Sequence, residues 1–409
     1  MSESHSSNAD NPLLDLSGLP CFSKIDAGQV EGALDAALAK CRAKIEAVEA
    51  HCATASWASV ASELQDIEEY LERVWAPVSH LNAVRDSEAF RSAVEACLPK
   101  LSGFHSEVGQ NLKLYDGYQK IANGHDFGEL SAARKKVVKN ALRDFRLSGA
   151  ELEGDARERF REIVSELSTL SNRFDQNLLD ATDHWFLDIE DENDLQGLPQ
   201  SAIDLAHKTA KDASVSGWRF SLQAPSYIPF MMFCENRALR EKVYEAYVTR
   251  ASDVGPDARQ FDNGPLMVQI LSLRAEMASL LGFAHYAQYA LEGRMAGSAQ
   301  EVGEFLRTLA ECAKDAATKE MDELRSFALA EYGEKDLAAW DIAFYSEKLK
   351  QSLYAFSDEE IRPYFPLPKV LEGLFFVTEK LFGVKVQKAV CASVWHEDVQ
   401  FFELLNDDG

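Results

Sequence analysis

The chain has 409 residues, 46% of them apolar and 10% aromatic, which is enough to bury more than one core. With 67 acidic against 42 basic residues, its formal charge is −25. Such a surface repels phosphate backbones and anionic lipids, which argues against nucleic-acid and membrane partners.

In chain order, Met1 to Asn11 is polar and reads as the start of a disordered tail over 1–12, with no apolar core of a secretory signal. Asp26 with Gln29 three positions on is an acidic capping box. Behind it Val30, Leu34, Leu38, Cys41, Ile45 and Val48 recur at steps of three and four, predicting a long helix with one buried stripe. Phe160 to Leu178 carries a second such stripe. Val302, Phe305, Leu306, Leu309, Leu324 and Phe327 belong to a third, whose middle is weakened by small alanines. Shorter helices are expected around 60–74, 88–122, 129–147, 236–250, 263–281, 341–353 and 367–380.

Strand signals are few. Trp185 to Ile189 and Trp218 to Leu222 read as a small paired insertion, with Val384 to Val386 and Val399 to Leu405 as the other candidates. The less helical stretch from about 180 to 225, ending in Pro225 and Pro229, is the best boundary. The fold class is therefore mainly α with a minor β component. Val399 to Leu405 is apolar on both faces, as in a buried strand, and is followed by Asn406-Asp-Asp-Gly409. Asp-Gly after a strand predicts a hairpin whose return strand is still to come. The alternative is a terminal strand paired elsewhere.

Chemistry-bearing patterns are sparse. The 7 cysteines include no Cys-x-x-Cys and predict free thiols, several buried, in a reducing cytoplasmic compartment. A metallopeptidase helix needs two histidines one turn apart with a glutamate beside the first. The nearest approach, His396-Glu397-Asp-Val-Gln400, has glutamine at the second position and runs into a strand. Asp253, Asp257 and Asp262 suggest calcium, but Gly255 stands where a ligand belongs, so capping of nearby helices is the better reading. Cys391 and His396 are five apart and do not make a thiol–imidazole pair. The remaining histidines, such as His80, His105 and His184, are isolated. Trp340, Tyr345, Tyr354, Tyr364 and Phe365 mark an aromatic-rich segment, either core or the wall of a ligand channel.

Several collinear segments are more telling. Asn11-Pro-Leu-Leu14, Trp75-Ala-Pro-Val-Ser-His-Leu-Asn82, Lys139-Asn-Ala-Leu-Arg-Asp-Phe145 and Leu280-Leu-Gly-Phe283 are joined by Trp340-Asp-Ile-Ala-Phe-Tyr-Ser-Glu-Lys348, Arg362-Pro-Tyr-Phe-Pro366 and Trp395-His-Glu-Asp-Val399. Together they resemble the thimet oligopeptidase family of zinc metallopeptidases. The resemblance implies a multi-helical, two-lobed peptidase fold in which short peptides are cleaved in a channel. It divides the chain into an N-terminal helical domain over 13–180, a small β-containing connection over 181–224, and the first part of the peptidase domain over 225–409. It also implies zinc, held in the complete enzyme by His-Glu-x-x-His and a later glutamate. No catalytic or metal-binding residue carries over to a position in this sequence. The expectation is therefore a fold truncated before the zinc-binding helices and a chain that is inactive and binds no zinc by itself. The alternatives are a non-catalytic peptide-binding module, or one half of a split peptidase awaiting a complementing C-terminal half.

Overall fold

Asp26 starts the first helix as its sequence requires. In the computed structural model, which describes residues 11–355, 358–390, 393–406 and 408 (358 and 359 by backbone alone), its carboxylate accepts from the Gly28 amide. Its own amide donates to Gln29 Oε1, completing the capping box. This helix, α1 (Ala27–Glu49), buries Val30, Leu34, Leu38, Cys41, Ile45 and Val48. It packs against α2 (Glu63–Val84) and α3 (Glu88–Gly109). A short π-helical stretch, Trp57–Ser62, leads into α2. The helix expected over 88–122 is two helices, because Asn111 caps a new one, α4 (Leu112–Asn123), by accepting from the amides of Lys113 and Leu114. α5 (Ala132–Leu147) packs on α4. Of the tail expected over 1–12, residues 1–10 lie outside the described residues. Asn11 is tied down, its amide nitrogen donating to the Gln29 carbonyl at 2.9 Å, and Leu13 is buried.

α6 (Gly154–His184) is the second long helix. After it β1 (Phe186–Ile189), α7 (Gln200–Asp212) and β2 (Trp218–Ser221) follow in order. β1 and β2 pair antiparallel, Phe186 opposite Ser221 and Ile189 opposite Trp218, as the two short runs predict. α7 was not legible because its buried residues, Ala202, Ala206 and Ala210, are too small to make an apolar stripe. α8 (Ala224–Phe233) begins where the less helical stretch was expected to end, and contains both Pro225 and Pro229. Pro225 falls in its first turn, where an amide would have no intrahelical partner in any case.

The chain continues through α9 (Arg237–Val248), α10 (Gly264–Leu280), α11 (Tyr286–Leu291) and α12 (Ala299–Tyr332). Then come α13 (Ala339–Tyr354), α14 (Asp358–Ile361) and α15 (Leu367–Phe382). α12 is the third long helix, but its expected stripe is not buried. Phe305, Leu306 and Leu309 are exposed, and only Leu324 and Ala328 are sealed.

The last strands are β3 (Lys385–Ala389) and β4 (Phe401–Leu405). They pair antiparallel, Lys385 opposite Leu405 and Ala389 opposite Phe401. The strand expected to await a return strand thus has a partner earlier in the chain. None of its residues is buried, so its two-faced apolar run does not mark a covered strand. Turn positions 407 and 409 lie outside the described residues.

The fold is mainly α, with two small antiparallel ribbons among the described residues. Contacts divide it into two compact units: Met1–Asn172 with Ile270–Ala299 and Glu379–Gly409, and Arg173–Gln269 with Gln300–Thr378. Both units are discontinuous in sequence. The first unit holds the α1–α5 core and a second cluster in which Phe160 and Ile163 of α6 meet Leu273 and Met277 of α10. The other unit is built around Ile189, Phe220, Phe230 and Val243, with a smaller cluster at Phe344 and Tyr345. No helix among the described residues is long and apolar enough to cross a membrane.

Candidate functional site

In the second unit, the starts of α9 and α13 are joined by a buried ionic knot. Asp341 is the third residue of α13, and its carboxylate accepts from the Ala338 amide at 3.0 Å, capping a helix that has no polar residue at its N-cap. The same carboxylate takes Arg240 Nη2 at 2.8 Å and Arg237 Nη2 at 2.6 Å. Arg240 also donates to the carbonyls of Cys234 and Trp340 and lies over the Phe344 ring at 4.1 Å. Burial by itself would raise the pKa of Asp341. Hydrogen bonds from Arg237, the Ala338 amide and Arg240 outweigh it and hold the carboxyl below its ordinary value. With its oxygens committed to arginines, Asp341 is a strut and not an acid or base.

Through Arg240, which donates to the Trp340 carbonyl, the strut adjoins an aromatic wall. Tyr227 of α8 and Tyr247 of α9 stack at 3.8 Å, almost parallel, with the Arg250 guanidinium 3.7 Å from the Tyr247 ring centre. Arg250 is fixed by Thr182 Oγ1 at 3.0 Å and the Tyr247 carbonyl at 2.8 Å. Tyr244 and Trp340 continue the wall at 6.1 Å, and the buried Trp340 Nε1 has no hydrogen-bond partner within the chain. Burial pushes the Tyr227 phenol up to about 12. Its phenol therefore stays protonated near neutrality. The four rings are half-buried against the core of this unit, and no group among them is placed for proton abstraction.

The residues singled out in the sequence fall elsewhere. His396 is exposed in a turn, its Nδ1 accepting from the Asp398 amide at 3.2 Å, and Gln400 follows outside any helix. The turn is positioned by Trp395, which packs edge-on against His80 at 4.2 Å and Phe22 at 5.0 Å. Of the three aspartates, Asp262 accepts from the Gly264 amide at the start of α10, and Asp257 stands 4.0 Å from His184. They do not converge on a common point with any third donor. Cys391 lies outside the described residues. The aromatic segment divides: Phe344 and Tyr345 are core, Trp340 half-buried, and Tyr354, Tyr364 and Phe365 exposed.

The zinc that the resemblance implies needs three converging donors. No three His, Cys, Asp or Glu side chains are so placed among the described residues, and these residues do not fit a zinc centre. The knot and the wall went unread because their partners are far apart in sequence. Arg240 and Asp341 are 101 positions apart, and the only local sign was a lone acid inside an aromatic run.

Two family models match. Residues 34–157 match the N-terminal domain of Neurolysin/Thimet oligopeptidase, and residues 230–409 match Peptidase family M3. The chain belongs to peptidase family M3. It is 44% identical over 400 residues to Oligopeptidase A of Haemophilus influenzae, an alignment that covers 97% of this chain and 58% of that protein. Oligopeptidase A of Salmonella typhimurium is 45% identical over 398 residues, with the same shares covered. A Probable cytosolic oligopeptidase A of Arabidopsis thaliana is 38% identical over 98% of this chain and 58% of its own length. The M3 chain thus spans a little over half the length of these relatives.

Proposed function

We propose that this M3 chain is part of a zinc-dependent oligopeptidase that hydrolyses short peptides in the cytoplasm. The observation that carries the reading is identity of 44 to 45% running along 97% of the chain to proteins named Oligopeptidase A. The cytoplasmic assignment is supported by the name of the Arabidopsis relative.

Within this reading the described residues supply scaffold and peptide-contacting surface, and the metal donors come from polypeptide beyond them. No step of hydrolysis is assigned to a residue of this chain. The test uses the purified 409-residue chain, with zinc and a fluorogenic short peptide, beside the same chain fused to the remainder of the Haemophilus relative. The expected result is chelator-sensitive cleavage by the fusion and none by the chain alone. An inactive but folded fusion would overturn the oligopeptidase reading, and cleavage by the chain alone would overturn the division of labour.

A second reading, a module that binds peptides without cutting them, is favoured by one observation. The pairing of β4 with β3 satisfies one edge of a strand that would otherwise expose unpaired backbone groups. Cooperative unfolding of the isolated chain with peptide binding, and an inactive fusion, would select it.

A further inference from the structure

The first unit contains a groove of about 650 Å³ between faces of α2, α3 and α5. Its size is that of a small-ligand site, roughly 300–1,000 Å³. Phe104, Tyr118 and Phe145, all buried members of the α1–α5 core, turn ring surface toward it, and Trp75 and Leu71 extend the apolar floor. Gln65, Asn140 and Ser148 supply amide and hydroxyl groups along its length.

The rim charge is one-sided. No lysine or arginine lines the groove. Of its three carboxylates, Asp144 is paired with Arg143 at 2.8 Å, while Glu68 and Glu72 make no ion pair among the described residues. Glu68 and Glu72 stand one helical turn apart on α2, an arrangement in which like charges repel. The neighbouring titratable groups do not relieve them. Burial lowers His105 toward its neutral form although both glutamates pull it upward, and burial raises Tyr118 to about 12. An apolar floor beneath two uncompensated carboxylates is complementary to a ligand with a cationic head and an apolar body.

We propose that this groove binds the amino-terminal end of a short peptide whose first side chain is apolar. The α-ammonium group sits between Glu68 and Glu72. The side chain lies on Phe104, Tyr118 and Trp75, and the following peptide bonds meet Gln65 and Asn140. The site takes a peptide by its free end, whether or not the chain contributes to hydrolysis, so it stands or falls separately from the oligopeptidase reading.

The test is calorimetric titration of the full 409-residue chain with Phe-Gly-Gly-amide, its N-acetyl form, and phenethylamine. The free peptide is expected to bind saturably at one site, with the acetylated form and phenethylamine each about tenfold weaker, the range of one charge-assisted contact or a pair of neutral hydrogen bonds. The double variant Glu68→Gln, Glu72→Gln, altered only at exposed positions, should lose the preference for the free peptide while its thermal melt is unchanged. Ala141→Trp, which fills the groove from α5, should abolish binding of all three. Absence of saturable binding, equal binding of free and acetylated peptide, or a preference that survives the double variant would each overturn the proposal. Phenethylamine binding as tightly as the peptide would overturn the peptide assignment. The glutamine variant decides the matter even if the tryptophan variant fails to fold.

Discussion

Asp341 and Arg240 meet at 2.8 Å with both side chains sealed from solvent, 0% and 1% exposed. A buried pair of this kind is poor evidence of net stabilisation, but removing one partner strands the other charge in a medium that cannot solvate it. Arg240→Met is therefore expected to destabilise the chain by about 3–5 kcal/mol, read as a lowered urea midpoint. Arg237→Ala should cost less, because Arg237 is 43% exposed and its loss leaves Arg240 in place.

The same carboxylate sets a pH dependence. The folded value of Asp341 lies below its ordinary 3.8, so the unfolded chain takes up the proton first as acid is added. Its contribution is complete above about pH 5 and is lost as the pH falls through the lower folded value. Urea unfolding of the wild type between roughly pH 5 and pH 2 should show this loss, and Asp341→Asn should flatten that part of the profile.

Thiol reactivity should separate the cysteines by depth. Cys97 and Cys234 are buried and their thiols are pushed up to about 11 by that burial, so little thiolate forms near neutrality. Cys312 is exposed on α12. In a Cys391→Ser background, timed maleimide labelling with peptide mapping should modify Cys312 well before Cys97 or Cys234. Equal rates in the native chain would contradict the burial of the two inner thiols.

Gly217 turns the chain into β2 at φ +82°, and a β-carbon there would stand 2.2 Å from the Ile189 carbonyl oxygen. Both backbone strain and a clash against main chain follow from any side chain. Gly217→Ala should therefore cost about 1–3 kcal/mol, and amide exchange should accelerate at β1 and β2 before other parts of the second unit.

On α15, Val370, Leu374, Val377 and Leu381 form one apolar stripe that is exposed along its length, Leu381 to 72%. Replacing Leu374 and Leu381 by lysine removes no buried contact. The expected outcome is weaker binding of a hydrophobic dye with an unchanged urea midpoint. A fall in stability would mean that the stripe is covered.

Much of this architecture was legible in the residues. α1 was written in its capping pair and stripe, and the β1–β2 ribbon in two short aromatic runs, because both depend on contacts within a turn or across a small insertion. The break between α3 and α4 was missed because Asn111 acts through a local cap that competes with a continuous apolar pattern. The burial of α12 was overestimated because an amphipathic stripe states only that a face is apolar, not that anything covers it.

By itself the sequence determined a mainly helical, acidic M3 chain, with its helix starts and no compact metal-binding motif. These follow from periodicity, charge and short-range spacing, which act within a few residues. Tertiary structure alone decided that Arg240 would neutralise Asp341, that Tyr227 would stack on Tyr247, and that β4 would take β3 as its partner. It also left Glu68 and Glu72 without a counter-charge among the described residues, above an aromatic floor. Such pairings join positions up to a hundred residues apart, and no local pattern encodes them. They arise only when packing removes water from a charge or a ring and makes the identity of its neighbour matter.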